Sequence, residues 1–188
     1  AAIFHDIAKP LTKKFDPIHG FSFHGHEDLG ARMLPKLFKR MRFPISKEVL
    51  GYVQKLVRLH LRPIALAKEV TDTAIRRLLY EAGDDLEDLF LLCRADITSK
   101  NEVKVQQYLA NFDKVKKRVL AVETRDKIRN FQPVITGAVI METFALKPSA
   151  QVGLIKEAIK EAILEGKIKN EYQEAFNYML MIGKQYAL

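Results

Sequence analysis

Positions 102–130 contain neither glycine nor proline, and their apolar residues recur every three or four positions. Val105, Tyr108, Leu109, Phe112, Val115, Val119 and Val122 fall along one side of a 3.6-residue period, which predicts one long helix over 102–130. The same period governs nearly every other segment, and none alternates convincingly at period two. The chain therefore reads as all-α: a helical bundle over 1–131, closed by the long connecting helix, then a small helical module over 132–188 that begins at the Phe131-Gln132-Pro133 break.

Within the first part, a helix is predicted over 27–43, with Leu29, Met33, Leu34, Leu37, Phe38 and Met41 as its apolar stripe and Pro44 as its end. Ser46 is a plausible cap for the next helix, 47–61, which Pro63 ends. Thr71 can cap a helix reaching Ala82 with Gly83 as its stop, and 85–98 forms a strongly apolar helix that ends by presenting Asp96. Asp72, Asp84 and Asp85 read as caps. In the second part, Thr136-Gly137 opens a short helix, Leu146-Lys147-Pro148 forms a turn, and 151–164 is an amphipathic helix stopped by Gly166. Asn170 with Gln173 makes a capping-box pattern for a last helix reaching Tyr186.

Composition narrows the partners. The balance of 31 Lys+Arg against 23 Asp+Glu leaves a formal net charge of +8, which suits a polyanion such as RNA. The segment Lys114-Val115-Lys116-Lys117-Arg118 is the basic belt of the long helix, and a solvated helix face is its ordinary alternative. No apolar run approaches the roughly 18 residues of a membrane span, so no membrane partner is expected. The single Cys93 excludes a disulfide framework and fits a reducing, cytoplasmic setting.

The residues able to do chemistry are histidines and carboxylates. His5-Asp6 ends a short apolar segment, and an adjacent imidazole and carboxylate suit a divalent ion of borderline to hard character. A carboxylate can bridge two ions while its neighbouring His binds one of them. His26, His60 and Asp96 follow at intervals, each on or beside a separate apolar-faced helix. Asp96 stands out because a carboxylate is seldom placed in so apolar a helix without a partner. His24 and His26 point to different sides of a turn or helix, so only one of them is expected as a ligand. His19, in a polar loop, is expected in solvent, and Lys9, one turn from the pair, could meet a substrate phosphate. There is no Gly-rich phosphate loop, no Cys pair for zinc, no Gly-x-Ser-x-Gly elbow and no Asp-x-Asp pair beside a Gly-Ser strand.

In their order, His5-Asp6, His26 with Gly30-Ala31 after it, His60 and Asp96 resemble the HD phosphohydrolase superfamily. The stretches Phe4-His5-Asp6-Ile7-Ala8-Lys9-Pro10 and Phe23-His24-Gly25-His26-Glu27, with Ala95-Asp96, are similar to the HD domain of bacterial tRNA nucleotidyltransferases of the poly(A) polymerase superfamily. Ile135-Thr136-Gly137, Leu146-Lys147-Pro148-Ser149, Val152-Gly153-Leu154-Ile155 and Ala162-Ile163-Leu164-Glu165-Gly166 resemble the C-terminal module of that family. The resemblance implies a divalent metal ion of the Mg, Mn or Ni type held by His5, Asp6 and Asp96. It implies reaction-centre roles for His26, His60 and Lys9 and contact with tRNA, for which the basic residues Lys114, Lys116, Lys117, Arg118 and Lys127 are reasonable backbone contacts that no motif fixes. It also implies a metal-binding His on a helix upstream of His5-Asp6, and a head that adds CCA with Mg and CTP or ATP. Neither is in this sequence, which therefore reads as a C-terminal piece inactive in CCA addition by itself. A free-standing HD phosphohydrolase acting on nucleotides and a catalytically inert RNA-binding module are the rival readings.

Overall fold

A computed structural model describes residues 1–66 and 71–185. The chain forms two compact units, Ala1–Arg125 and Asp126–Leu188.

The first unit opens in tight turns rather than a helix. Phe4 N–H donates to Ala1 O at 2.8 Å, Ile7 N–H to Phe4 O at 3.2 Å and Lys9 N–H to Asp6 O at 3.0 Å. A short helix, α1 (Lys9–Thr12), follows with Pro10 near its start, where a missing N–H costs nothing. Then comes an element the period did not predict: strands β1 (Lys14–Asp16) and β2 (Gly20–Ser22) pair antiparallel, with Phe15 opposite Phe21. The Asp16 carboxylate holds the turn by accepting from the backbone N–H of Ile18 and His19, at 2.8 and 2.7 Å.

Helix α2 (His26–Arg40) and helix α3 (Lys47–Leu59) pack face to face through Ala31, Leu34, Phe38, Val53 and Val57. Ser46 caps α3 as expected, its Oγ accepting from Val49 N–H at 3.2 Å. Gly30 allows the close approach. A Cβ there would lie 3.3 Å from Val57 Cγ1 and 3.5 Å from Ile7 Cγ2. Phe4 joins the same core edge-on to Phe38, with ring centroids 5.1 Å apart, which fixes the chain one residue before His5.

Helix α4 (Arg62–Leu66) is short. Helix α5 (Asp72–Ala82) is capped by Thr71, whose Oγ1 accepts from Ala74 N–H at 3.2 Å. Asp72 and Asp85 make no side-chain cap, although Asp85 holds the N-cap position of the helix that follows. Asp72 binds Arg118 and Arg125, and Asp85 accepts from Lys55 Nζ at 2.6 Å. A single 3-10 turn (Gly83–Asp85) leads into α6 (Leu86–Asp96), whose Leu86, Leu89, Phe90 and Cys93 are buried. Helix α7 (Glu102–Asp126) buries Phe112, Val115, Val119 and Val122, and Phe112 meets Phe90 edge-on. It stops four residues short of the expected end because Lys127 and Asn130 take left-handed φ of 48° and 57°.

The second unit consists of α8 (Gly137–Phe144), capped by Thr136, then α9 (Ala150–Glu165) and α10 (Tyr172–Gln185). Gly166, at φ 72°, ends α9 by donating its N–H to the last carbonyls. Ile140, Ile155, Ile159, Ile163 and Met179 form the core. Asn170 caps nothing: its side-chain oxygen accepts from Val134 N–H at 3.0 Å and its amide donates to Gln132 O at 2.9 Å. Gln173 pairs with Asn177 instead of reaching back. Tyr186, the expected end of the last helix, lies outside the described residues.

Candidate metal centre

Three members of the predicted set sit at the end of a helix, and the other two lie in the opening turns. His5 and Asp6 lie in the turns before α1, His26 is the first residue of α2, His60 follows α3 directly, and Asp96 is the last residue of α6. Gly25, at φ 80°, makes the left-handed turn that swings His26 into the core, a conformation a side chain would strain. His24, one residue earlier, stays exposed, and His19 is solvated with its ring against Asp16 at 3.0 Å.

The three rings are held alike. His5 Nδ1 is 2.7 Å from Ala2 O, His26 Nδ1 is 2.7 Å from Phe23 O, and His60 Nδ1 is 2.6 Å from Val57 O. A carbonyl can only accept, so each Nδ1 carries a proton and each ring turns its Nε2 outward. Those Nε2 atoms converge on the carboxylates. His26 Nε2 lies 3.2 Å and His60 Nε2 3.9 Å from Asp6 Oδ1, and the two nitrogens are 3.3 Å apart. His5 Nε2 lies 3.0 Å from Asp96 Oδ1 and 3.4 Å from Asp6 Oδ2.

Two ligand groups result, Asp6–His26–His60 and His5–Asp6–Asp96, and they share Asp6. His60 is fully buried and His26 nearly so, whereas His5, Asp6 and Asp96 keep part of their surface in solvent. Asp6 Oδ1 is buried with no hydrogen-bond partner. A buried carboxylate oxygen with no hydrogen-bond partner, facing two imidazole nitrogens, is unfavourable unless a cation lies among them. The donor set therefore fits a divalent ion. Nδ1–H bonds to backbone carbonyls are the supports that metal-binding imidazoles require.

Electrostatics agree. Burial would raise the Asp6 carboxyl, but the hydrogen bond from Lys9 Nζ at 2.5 Å and the nearby charges of His5, Lys9 and His26 hold it below the ordinary range. Burial, foremost, pushes His60 down and keeps it neutral. Cys93 donates to His60 O at 2.8 Å, and burial together with the Asp96 charge pushes its thiol up to about 12, so it remains a thiol. Sequence reasoning missed this support and the three carbonyls, because neither depends on residue type at the supporting position.

The basic belt is arranged differently. Lys114 and Lys117 are exposed, whereas Lys116 Nζ lies 3.6 Å from Glu87 and 5.5 Å from the centre of the Phe90 ring. Arg118 donates to Asp72 at 2.8 Å. Lys127 is exposed but lies past the end of α7.

The HD domain family matches residues 1–101 of the chain. The chain belongs to the HD domain family. Among curated proteins it is 33% identical to the CC-adding tRNA nucleotidyltransferase of Thermus thermophilus, over 96% of this chain and 38% of that protein. It is 27% identical to the A-adding tRNA nucleotidyltransferase of Deinococcus radiodurans, over 89% of this chain and 38% of that protein. A CC-adding tRNA nucleotidyltransferase of Synechocystis is 41% identical over 59 residues, 31% of this chain and 14% of that protein. The chain thus spans well under half the length of the curated relatives it matches. No solved structure matches it. Among the described residues, no helix is long and apolar enough to cross a membrane.

Proposed function

We propose that this chain supplies a divalent-metal phosphohydrolase site of the HD type and an RNA-contacting helical unit to a tRNA nucleotidyltransferase. The observation that carries the reading is the shared carboxylate of Asp6, with Oδ1 toward His26 and His60 and Oδ2 toward His5. Supporting it, the Thermus and Deinococcus relatives are tRNA nucleotidyltransferases, and their matched portions cover most of this chain. Nucleotide addition, with Mg and CTP or ATP, is assigned to the part of such a protein beyond these 188 residues.

When bound, a divalent ion of the Mg, Mn or Ni type would polarise a phosphoryl oxygen and activate a water. His5, Asp6 and Asp96 would hold it at the solvent-facing edge. His26 and His60, each with its proton fixed on Nδ1, present Nε2 as a lone pair to the reaction centre, as ligand or proton acceptor. Lys9, already on Asp6, offers an ammonium to a phosphate oxygen. Lys114, Lys116, Lys117, Arg118 and Lys127 are assigned to the RNA backbone.

The test is hydrolysis of bis(p-nitrophenyl) phosphate and of a 2′,3′-cyclic phosphate RNA end with added Mn²⁺, Ni²⁺ or Mg²⁺, alongside titration calorimetry of each metal. Hydrolysis with at least one metal is expected. Neither hydrolysis nor metal binding would leave an inert RNA-binding module as the better reading. With tRNA lacking its CCA end and labelled CTP and ATP, no extension is expected, and incorporation above background would overturn the division of labour.

A further inference from the structure

The hairpin leaves two aromatic rings in water. Phe15 and Phe21 are 66% and 59% exposed, they lie opposite each other on one face, and their ring centroids are 5.1 Å apart. Alternation along the strand puts Lys13 on that face as well, and its Nζ lies 4.0 Å from the centre of the Phe21 ring. At the base of the hairpin Lys9 Nζ is 5.9 Å from the centre of the Phe23 ring, and the same ammonium binds Asp6. Two ammonium–ring pairs, Lys9 with Phe23 and Lys13 with Phe21, thus accompany the hairpin between the carboxylate–imidazole cluster and Phe15.

We propose that this hairpin is a stacking platform for unpaired nucleotides of an RNA strand whose terminal phosphate lies at the Asp6 cluster. Aromatic faces take bases and ammonium groups take the intervening phosphates, the combination by which proteins hold single strands. An apolar peptide would leave the ammonium groups unused, and a duplex keeps its base faces stacked on one another. Asp16, the hairpin's own carboxylate, is turned onto the backbone of Ile18 and His19 rather than toward the rings. Rings and ammonium groups read no base edges, so binding is tolerant of sequence. The inference rests on the phosphohydrolase reading of the cluster and narrows its substrate to a single-stranded RNA end.

The test uses the 188-residue chain with a single-stranded RNA hexamer carrying 2-aminopurine, and with a blunt duplex of equal length. Wild type is compared with Phe15→Ala, Phe21→Ala, the double variant and Phe15→Trp, with circular dichroism melts to confirm folding. Quenching of the 2-aminopurine is expected, with affinity for the hexamer falling about tenfold per Ala variant and restored by Phe15→Trp. Affinity for the duplex should not change. Equal hexamer affinity for wild type and the double variant overturns the platform. So does a double variant that loses self-association in sedimentation while keeping RNA affinity, which would make the hairpin a contact between copies. Hydrolysis of bis(p-nitrophenyl) phosphate, which has no base to stack, separates the two readings. If it proceeds while the platform fails, the cluster reading stands alone; if it never occurs while stacking holds, only the cluster reading falls.

Discussion

The cluster around Asp6 and the basic stretch of α7 each draw on a handful of charged or polar side chains, and they are built in opposite ways. The first gathers residues 91 positions apart, such as His5 and Asp96, onto one point because each stands in a turn or at a helix end. The second is contiguous in sequence, and a helix scatters contiguous residues around its axis. Lys116 and Arg118 consequently meet acids of the first unit, while Lys114 and Lys117 face outward. Spacing by whole elements concentrates function; adjacency disperses it.

The largest effect should come from the atom the cluster shares. Asp6→Asn keeps the shape but replaces one carboxylate oxygen with an amide, removing an anion from both ligand groups. Metal-dependent hydrolysis should fall at least about a hundredfold, and metal affinity should fall with it. Calorimetric titration of Mn²⁺ checks the second effect independently of turnover. Unchanged metal affinity would show that the two groups do not depend on a common carboxylate.

What was legible in the sequence follows the same contrast. The apolar stripe of α2, the caps Ser46 and Thr71 and the helix opening at Thr136-Gly137 are local features, and all could be read directly. The gathering of His5, Asp6, His26, His60 and Asp96 could be anticipated from residue type and order. The pinning of each ring by a carbonyl three residues earlier could not, because every residue has a carbonyl. The hairpin escaped because each strand has three residues, too few to establish a period. Lys127 and Asn130 turn the chain left-handed without glycine, so nothing marked the end of α7. Asp72 looked like a cap because its arginine partners lie 46 and 53 residues away.

A middle-sized effect separates the two halves of the basic stretch. If Lys114 and Lys117 meet RNA phosphates, replacing both with Ala should flatten the slope of log affinity against log salt by about 0.7–0.9 for each phosphate no longer neutralised. Filter binding of tRNA across a salt series reads this directly. An unchanged slope would move the RNA-binding face elsewhere, to Lys156, Lys160, Lys167 and Lys169 of the second unit.

The second unit offers a packing prediction of similar size. A Cβ at Gly183 would lie 2.2 Å from Cζ of Phe144, so in Gly183→Ala either that ring or the helix carrying the new methyl has to shift. Overpacking of this kind costs roughly 1–3 kcal/mol. At Gly153 in α9 a Cβ meets nothing within 4 Å, and Gly153→Ala should stabilise by about 0.5–1 kcal/mol through helix propensity. Urea midpoints moving in opposite directions are expected. A Gly183→Ala midpoint at or above wild type would show that Phe144 turns aside freely.

The smallest effect is the most discriminating, because it tests whether Arg118 serves the fold rather than RNA. The hydrogen bond from Arg125, then that from Arg118, holds the Asp72 carboxyl below its ordinary range, although partial burial opposes this. A carboxyl lowered in the folded state stabilises the fold above its unfolded value of about 3.9, and that stabilisation is lost as pH falls through the lower folded value. Arg118→Ala should therefore cost about 1 kcal/mol at neutral pH, because the pair is half in solvent and Arg125 still holds one oxygen. The cost should shrink toward zero in acid, as pH falls below the lowered folded value and Asp72 is protonated in both states. Lys117→Ala, on the exposed side, should cost less than about 0.5 kcal/mol at either pH. Chemical denaturation of the two variants at both pH values makes the comparison. An Arg118→Ala cost that persists in acid would trace to packing along the guanidinium stem rather than to the ion pair.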